Sequence, residues 1–170
     1  MKHAFRLTSC SECEIWAAPD PLHHETIAAR SALYAWEIRP HSHDNLLQVL
    51  FVDSGRAEMT LETERESLPA PCVVTMPPRS VHGFSFSPDT IGQIVTVPHF
   101  LVRELLALSP GLWLELDFAH VHPLADDVAS LARMRQWFGT FREEYGARLE
   151  GRGTVLTAIL AEMLVWLARA

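Results

Sequence analysis

Cysteine is scarce in this sequence. Three occur in 170 residues, an odd number and too few for a disulfide framework. A chain of this length buries roughly 70% of its unfolded surface and needs no such staples. No apolar run approaches the roughly 18 residues of a membrane span, and Met1-Lys2-His3-Ala4-Phe5-Arg6 opens into no apolar core of an export signal. A cytoplasmic protein without a membrane partner is the expectation. Basic residues are outnumbered, 14 Lys and Arg against 21 Asp and Glu, for a net charge of −7. Phosphate contact requires a basic face, so this chain is not expected to bind nucleic acid by itself. Repeats and low-complexity segments are also lacking. What remains is a globular composition, 48% hydrophobic and 21% charged, suited to one domain or to one domain with a helical appendage.

The cysteines themselves offer little chemistry. Cys10 and Cys13 form a C-x2-C with His23 and His24 downstream. Zinc needs four ligands converging as a tetrahedron, and adjacent histidines rarely converge on one ion, so zinc is disfavoured here. Cys72, in the strand-like run Pro71-Cys72-Val73-Val74, reads as a small buried hydrophobe.

The pattern changes once, near Pro98. Before it, short strands alternate with Gly/Pro turns. Leu33–Ile38 is expected to be a strand ended by Pro40, and Leu47–Asp53 another. Ser54-Gly55-Arg56 turns into a hairpin partner at 57–62, and residues 67–71 read as a loop. Cys72–Met76, His82–Phe86 and Ile91–Val97 complete the set. Many short strands at regular spacing indicate a jelly-roll barrel or sandwich.

After Pro98 the pattern is helical. Phe100–Leu108 forms a short helix stopped by Ser109-Pro110-Gly111. Pro123 is expected to open a longer helix, with Asp126 and Asp127 in its first turn. Leu124, Val128, Leu131, Met134, Phe138, Phe141 and Tyr145 make a near-heptad stripe along it. After a break at 146–153, Val155, Leu156, Ile159, Leu160, Met163, Leu164 and Leu167 cover a face wide enough for two neighbours. These helices either pack under the barrel or also form a subunit interface. The closing run Leu164–Ala170 carries no stop signal, which points to a piece of a longer protein.

The richest constellation pairs Arg39-Pro40-His41-Ser42-His43-Asp44-Asn45-Leu46-Leu47-Gln48 with Pro77-Pro78-Arg79-Ser80-Val81-His82-Gly83-Phe84. His41 and His43 point to one face of an extended chain, whose side-chain period is two. If Gln48 and His82 lie on adjoining strands, all four converge inside the barrel. Three imidazoles and a carboxamide oxygen can bind Zn, Ni or Fe(II); alternatively the histidines hydrogen-bond within the barrel or to an organic ligand. This pattern resembles the cupin motifs. His41-x-His43-x4-Gln48 matches the first, with glutamine in the acidic position, and His82 follows a proline turn that lacks the usual glycine.

A wider resemblance runs from about Glu25 to Val97. It is carried by Glu25–Ser31, Trp36–His41, Gln48–Gly55, Ala70–Pro78 and Val81–Thr90, and it is to the N-terminal domain of AraC-type transcription regulators, in particular the branch answering to 4-hydroxybenzoate and 4-hydroxyphenylacetate. The resemblance implies an N-terminal arm over 1–24, a cupin barrel over 25–98, and a helical dimerisation segment over 99–170. DNA binding would fall to a helix-turn-helix domain absent from this chain, and the function implied is effector sensing, not enzymatic.

An aromatic acid needs an apolar slot, a cation for its carboxylate and a partner for its phenol. Trp36, Leu50, Val52, Phe84 and Phe86 supply the slot; Arg39 and Arg79 are the nearest cations in sequence; His41, His43, Gln48 and His82 supply polar contacts. The same four, as metal ligands, define the alternative: a metal-dependent cupin dioxygenase or isomerase. His99, and the pair His120 and His122 in H-x-H spacing, stand apart as lesser sites.

Overall fold

In the structure, a computed structural model, residues 22–31 and 35–170 are described. The longest strand explains the architecture. β3 (Leu46–Ser54) reads Leu-Leu-Gln-Val-Leu-Phe-Val and is buried from Leu47 to Val52. Its side chains divide by the period of two. Leu47, Val49 and Phe51 enter one apolar cluster, while Leu50 and Val52 enter another. A strand with both faces covered needs no polar alternation, hence the near-continuous apolar run.

Around β3 lie β1 (His23–Thr26), β6 (Cys72–Met76), β8 (Ile91–Pro98) and β9 (His120–Pro123), in the order β1-β8-β3-β6-β9. A second sheet holds β2 (Glu37–His41), β4 (Ala57–Leu61), β5 (Glu64–Leu68) and β7 (His82–Phe86), in the order β2-β7-β4-β5. All pairings are antiparallel. The sheets close over Leu50, Met59, Val74, Met76 and Phe84 to form the barrel interior. The fold is therefore mainly β with C-terminal helices, a jelly-roll barrel with a helical tail, as expected. The larger sheet includes β1, which starts two residues before the 25–98 span, and β9, which lies beyond it. Gly55, at φ +92°, turns β3 into β4 where an added Cβ would meet Thr90 Cα at 2.5 Å.

The outer face of the larger sheet is covered by helices. α2 (His99–Leu105), α3 (Leu112–Glu115), α4 (Val128–Ala147) and α5 (Arg152–Leu167) follow the barrel, whereas α1 (Ile27–Ser31), after β1, turns Ile27 into the barrel-interior cluster. Met134, Phe138 and Phe141 of α4, with Leu156, Leu160, Met163, Leu164 and Leu167 of α5, are buried with Leu47, Phe51, Val73 and Val95. Phe51 and Phe138 stack with ring centroids 5.2 Å apart. Each such side chain contributes about 1.5–3 kcal/mol on burial. The apolar stripes of both helices are thus turned onto their own barrel.

Four expectations change. β2 runs through Pro40 instead of ending there. Pro40 is tolerated because β2 is an edge strand whose register slips between Ile38 and His41; Leu33 and Tyr34 lie outside the described residues. Glu64–Leu68 is a strand where the sequence reads Ser67 and Leu68 as loop and leaves Glu64 to Glu66 unassigned, because Glu64 to Ser67 are all exposed and leave no apolar alternation. Pro123 ends β9, opposite Cys72, and does not open a helix. α4 starts at Val128, where Asp127 caps it by accepting a 3.0 Å bond from the Ser130 amide. Val128 is consequently 78% exposed and leaves the apolar stripe.

Candidate functional site

Two strands of the smaller sheet and one of the larger bring the predicted polar residues together. His41 ends β2 and His82 begins β7, and the two are register partners. His43 follows in the loop to β3 and is buried; its carbonyl accepts from the Arg79 amide at 2.7 Å, which ties this loop to the turn before β7. Gln48 reaches across from β3, on the same side as Leu50 and Val52. Gly83 lets β2 approach here, since an added Cβ would lie 2.8 Å from the Ile38 carbonyl oxygen. Ring centroids are 4.9 Å apart for His41 and His43, 4.7 Å for His41 and His82, and 5.8 Å for His43 and His82.

The hydrogen bonds fix the protonation logic. His82 Nδ1 lies 2.9 Å from the Ser80 carbonyl oxygen and its Nε2 lies 2.9 Å from Gln48 Oε1. Gln48 Nε2 faces Thr96 Oγ1 at 3.3 Å. Burial, with the neighbouring His41, lowers the His82 pKa from its usual value to about 3; the same causes lower His43 to about 4. Both are neutral at pH 7. A neutral imidazole has one N–H to give, and Ser80 takes it. The Gln48 contact is then satisfied when the amide turns its nitrogen toward His82 and its oxygen toward the Thr96 hydroxyl, an assignment set by the bonding network. His41 Nδ1 is 2.8 Å from the Arg39 carbonyl oxygen.

The donor set fits a borderline divalent ion. Ring nitrogens of His41, His43 and His82 all lie within 4.8 Å of one another. His43 and His82, held neutral by burial, keep a lone pair, and Zn, Ni and Fe(II) accept nitrogen ligands. Gln48 brings no charge, and its carboxamide oxygen would reach an ion only with the amide turned away from Thr96.

The other predicted residues divide into two groups. Leu50 and Phe84 are buried in the barrel interior with Val52 and Phe86, and Trp36 packs against them. Phe84 and Phe86 stack at 5.6 Å. Arg39 and Arg79 are exposed. Arg79 (φ +67°) and Trp36 (φ +63°) hold left-handed backbone conformations, which cost on the order of 1 kcal/mol or more for a side chain with a Cβ. Two neighbours of the cluster escape the sequence reading. Thr96 is opposite Gln48 in register. Arg30 is the arginine whose charge bears on both His43 and His82, while its guanidinium holds Glu25 at 2.5 Å. Neither carries a motif, and only the fold sets them near the cluster.

The lesser sites are structural in setting. Cys10 and Cys13 lie outside the described residues. His24 Nε2 is 2.8 Å from Gln93 Oε1, and His23 Nδ1 is 3.3 Å from the Tyr145 hydroxyl. Cys72 is buried, and burial pushes its thiol up to about 12, which leaves it inert as a nucleophile. His99 Nε2 lies 3.5 Å from Asp117 Oδ1. His120 and His122 share a face of β9 with rings 5.7 Å apart.

The cluster thus lies in a jelly-roll barrel with helices behind its larger sheet. Residues 22–154 match the family described as the AraC-like ligand binding domain. The chain belongs to that family. No curated protein matches it. Among solved structures, it is similar to ToxT from Vibrio cholerae, at 9% identity and a TM-score of 0.52 over 88% of this chain and 57% of that one. It is also similar to the AraC-like transcriptional activator CuxR, at 17% identity and a TM-score of 0.51 over 88% of this chain and 49% of that one. These likenesses concern the fold. The chain spans about half the length of the solved regulators it matches.

Proposed function

We propose that this chain is the effector-sensing and dimerisation domain of an AraC-type transcription regulator, and not an enzyme. Its effector, an aromatic acid, sits against the histidine cluster. The carrying observation is the convergence of His41, His43, Gln48 and His82, from both sheets, beside the apolar residues Trp36, Leu50 and Phe84. The neutral rings of His43 and His82 and the Gln48 carboxamide suit a phenol or another uncharged polar group, because each can donate or accept without a buried charge. A carboxylate belongs nearer the surface, where Arg39 and Arg79 are exposed. Dimerisation is assigned to the outward sides of α4 and α5, and DNA binding to a segment outside this chain, in a cytoplasmic protein. Effector binding shifts transcription only by favouring one of two arrangements of barrel and helices. Calorimetric titration with 4-hydroxybenzoate and 4-hydroxyphenylacetate tests this reading; failure of all aromatic acids to bind removes the effector class.

A second reading rests on the three ring nitrogens within 4.8 Å. Here His41, His43 and His82, with Gln48, hold Zn, Ni or Fe, either as part of the sensor or in a dioxygenase or isomerase. When bound, the ion would supply Lewis-acid or redox chemistry. Elemental analysis after reconstitution separates the two: absence of stoichiometric metal ends this reading and leaves the first intact.

A further inference from the structure

The chain leaves the larger sheet after β1 and joins the smaller sheet at β2, and α1 lies between the two in sequence. Residues four apart share a face of a helix. Ile27 turns that face into the barrel-interior cluster, so Ser31 lies on the same side. Ser31 is fully buried, and its Oγ has no hydrogen-bond partner. Its carbonyl oxygen accepts from the Trp36 amide at 2.8 Å, and the Trp36 carbonyl oxygen accepts from the Phe86 amide at 2.9 Å. The end of α1 is thereby tied to Trp36, which packs against the interior, and through it to β7. A buried hydroxyl left unbonded costs free energy that a ligand's oxygen can recover.

The residue before Ser31 carries a charge that is already matched. His24 of β1 meets Phe141 of α4, so its neighbour Glu25 points to the other face of the sheet. The register agrees: Glu25 is opposite Ile94, which lies in the interior cluster, and register partners share a face. Glu25 Oε1 accepts from Arg30 Nη1 at 2.5 Å, with side chains only 19% and 22% exposed. Arg39 and Arg79 are exposed by contrast, and it is the Arg30 charge that bears on both His43 and His82. The cation that the histidine cluster feels therefore already holds a carboxylate, one supplied by the chain itself. Exchanging it for another carboxylate leaves the charge balance of a part-buried pair unchanged, whereas a second anion added beside it would not. Building on the effector reading above, we propose that Arg30 and Ser31 seat the carboxylate of the aromatic acid, and that Glu25 is an internal competitor which the effector displaces from Arg30. Arg39 and Arg79 draw the acid toward the barrel by longer-range attraction. Displaced Glu25 keeps His23 Nε2, 3.6 Å away on a side chain 40% exposed. Glu25 belongs to β1 and Arg30 to α1, so the exchange unties α1 from β1 in the bound state alone. That difference in contacts is what a sensor needs to favour one of two arrangements.

Calorimetry on the parent and three variants tests this with 4-hydroxybenzoate and 4-hydroxybenzamide, which keeps the ring and phenol but carries no charge. Glu25→Gln retains an oxygen that can accept from Arg30. It should tighten binding of the acid about tenfold, the worth of one charge-assisted contact, and move the amide little. A gain in affinity cannot arise from misfolding. Arg30→Gln should weaken the acid by about the same factor and leave the amide unchanged, and Ser31→Ala should weaken the acid several-fold. Binding of the acid by Glu25→Gln where the parent binds none would also support the competitor role. Binding to the parent that neither Glu25→Gln nor Arg30→Gln alters would overturn the inference and leave the effector reading standing. Failure of every aromatic acid to bind either the parent or Glu25→Gln would overturn both.

Discussion

His41 and His82 stand opposite each other across β2 and β7, with ring centroids 4.7 Å apart, and Gln48 reaches His82 Nε2 from the facing sheet at 2.9 Å. This contact links the two sheets by a polar bond inside the barrel. It makes Gln48 the residue that decides what the cluster can do, since a glutamate there would bring charge and a glutamine brings only donors and acceptors.

Gln48→Leu should destabilise the protein by about 1–3 kcal/mol, because it strands His82 Nε2 and the Thr96 hydroxyl in the interior. Urea denaturation measures this. Gln48→Glu should instead raise the His82 pKa, since a carboxylate beside the ring favours its charged form. An NMR titration of the imidazole should show the rise, and an unmoved resonance would contradict the contact.

Acidification should destabilise the fold well before most carboxylates titrate. His43 and His82 have folded pKa values of about 4 and about 3, below the unfolded value near 6.5. Between those limits the unfolded chain binds more protons, so stability is full above pH 6.5 and falls as pH drops toward 4, by several kcal/mol in order of magnitude. Unfolding midpoints at pH 7.5, 6 and 5 should decline in that order. A flat profile over this range would mean that the histidines are not buried as neutral rings.

Asp127→Ala should cost about 1 kcal/mol through loss of the α4 cap, and Asp127→Asn much less, because the amide oxygen still accepts from Ser130. Thermal unfolding of the two variants distinguishes a capping role from a charge effect.

Phe138→Ala should cost about 3–5 kcal/mol, since it empties a fully buried site stacked on Phe51. At protein concentrations where the variant stays folded, its oligomeric state should match the parent, because Phe138 faces the barrel and not a partner. Sedimentation velocity checks this.

Much of the architecture is legible in the sequence because the barrel has strong local signals. β3, β6, β7 and β8 fall within a residue or two of their apolar runs, and the turn at Gly55 lies where its sequence places it. Failures occur where tertiary context overrides local chemistry. β5 is a polar edge strand whose partner, β4, supplies the only reason for it to be extended. Pro123 looks like a helix opener, yet its place opposite Cys72 is decided by a strand far earlier in the chain. The histidine cluster is readable because three motif positions carry it. Arg30 and Thr96 are not, since their relevance depends on which strands become neighbours.

The central claim is that Gln48 and the histidines hold the effector. Titration of 4-hydroxybenzoate and 4-hydroxyphenylacetate into the parent protein and into folded Gln48→Leu, followed by calorimetry, tests it most directly. Saturable binding to the parent, weakened about tenfold or more in the variant, is the predicted result. Absence of binding to the parent, or equal affinity in both proteins, would contradict it.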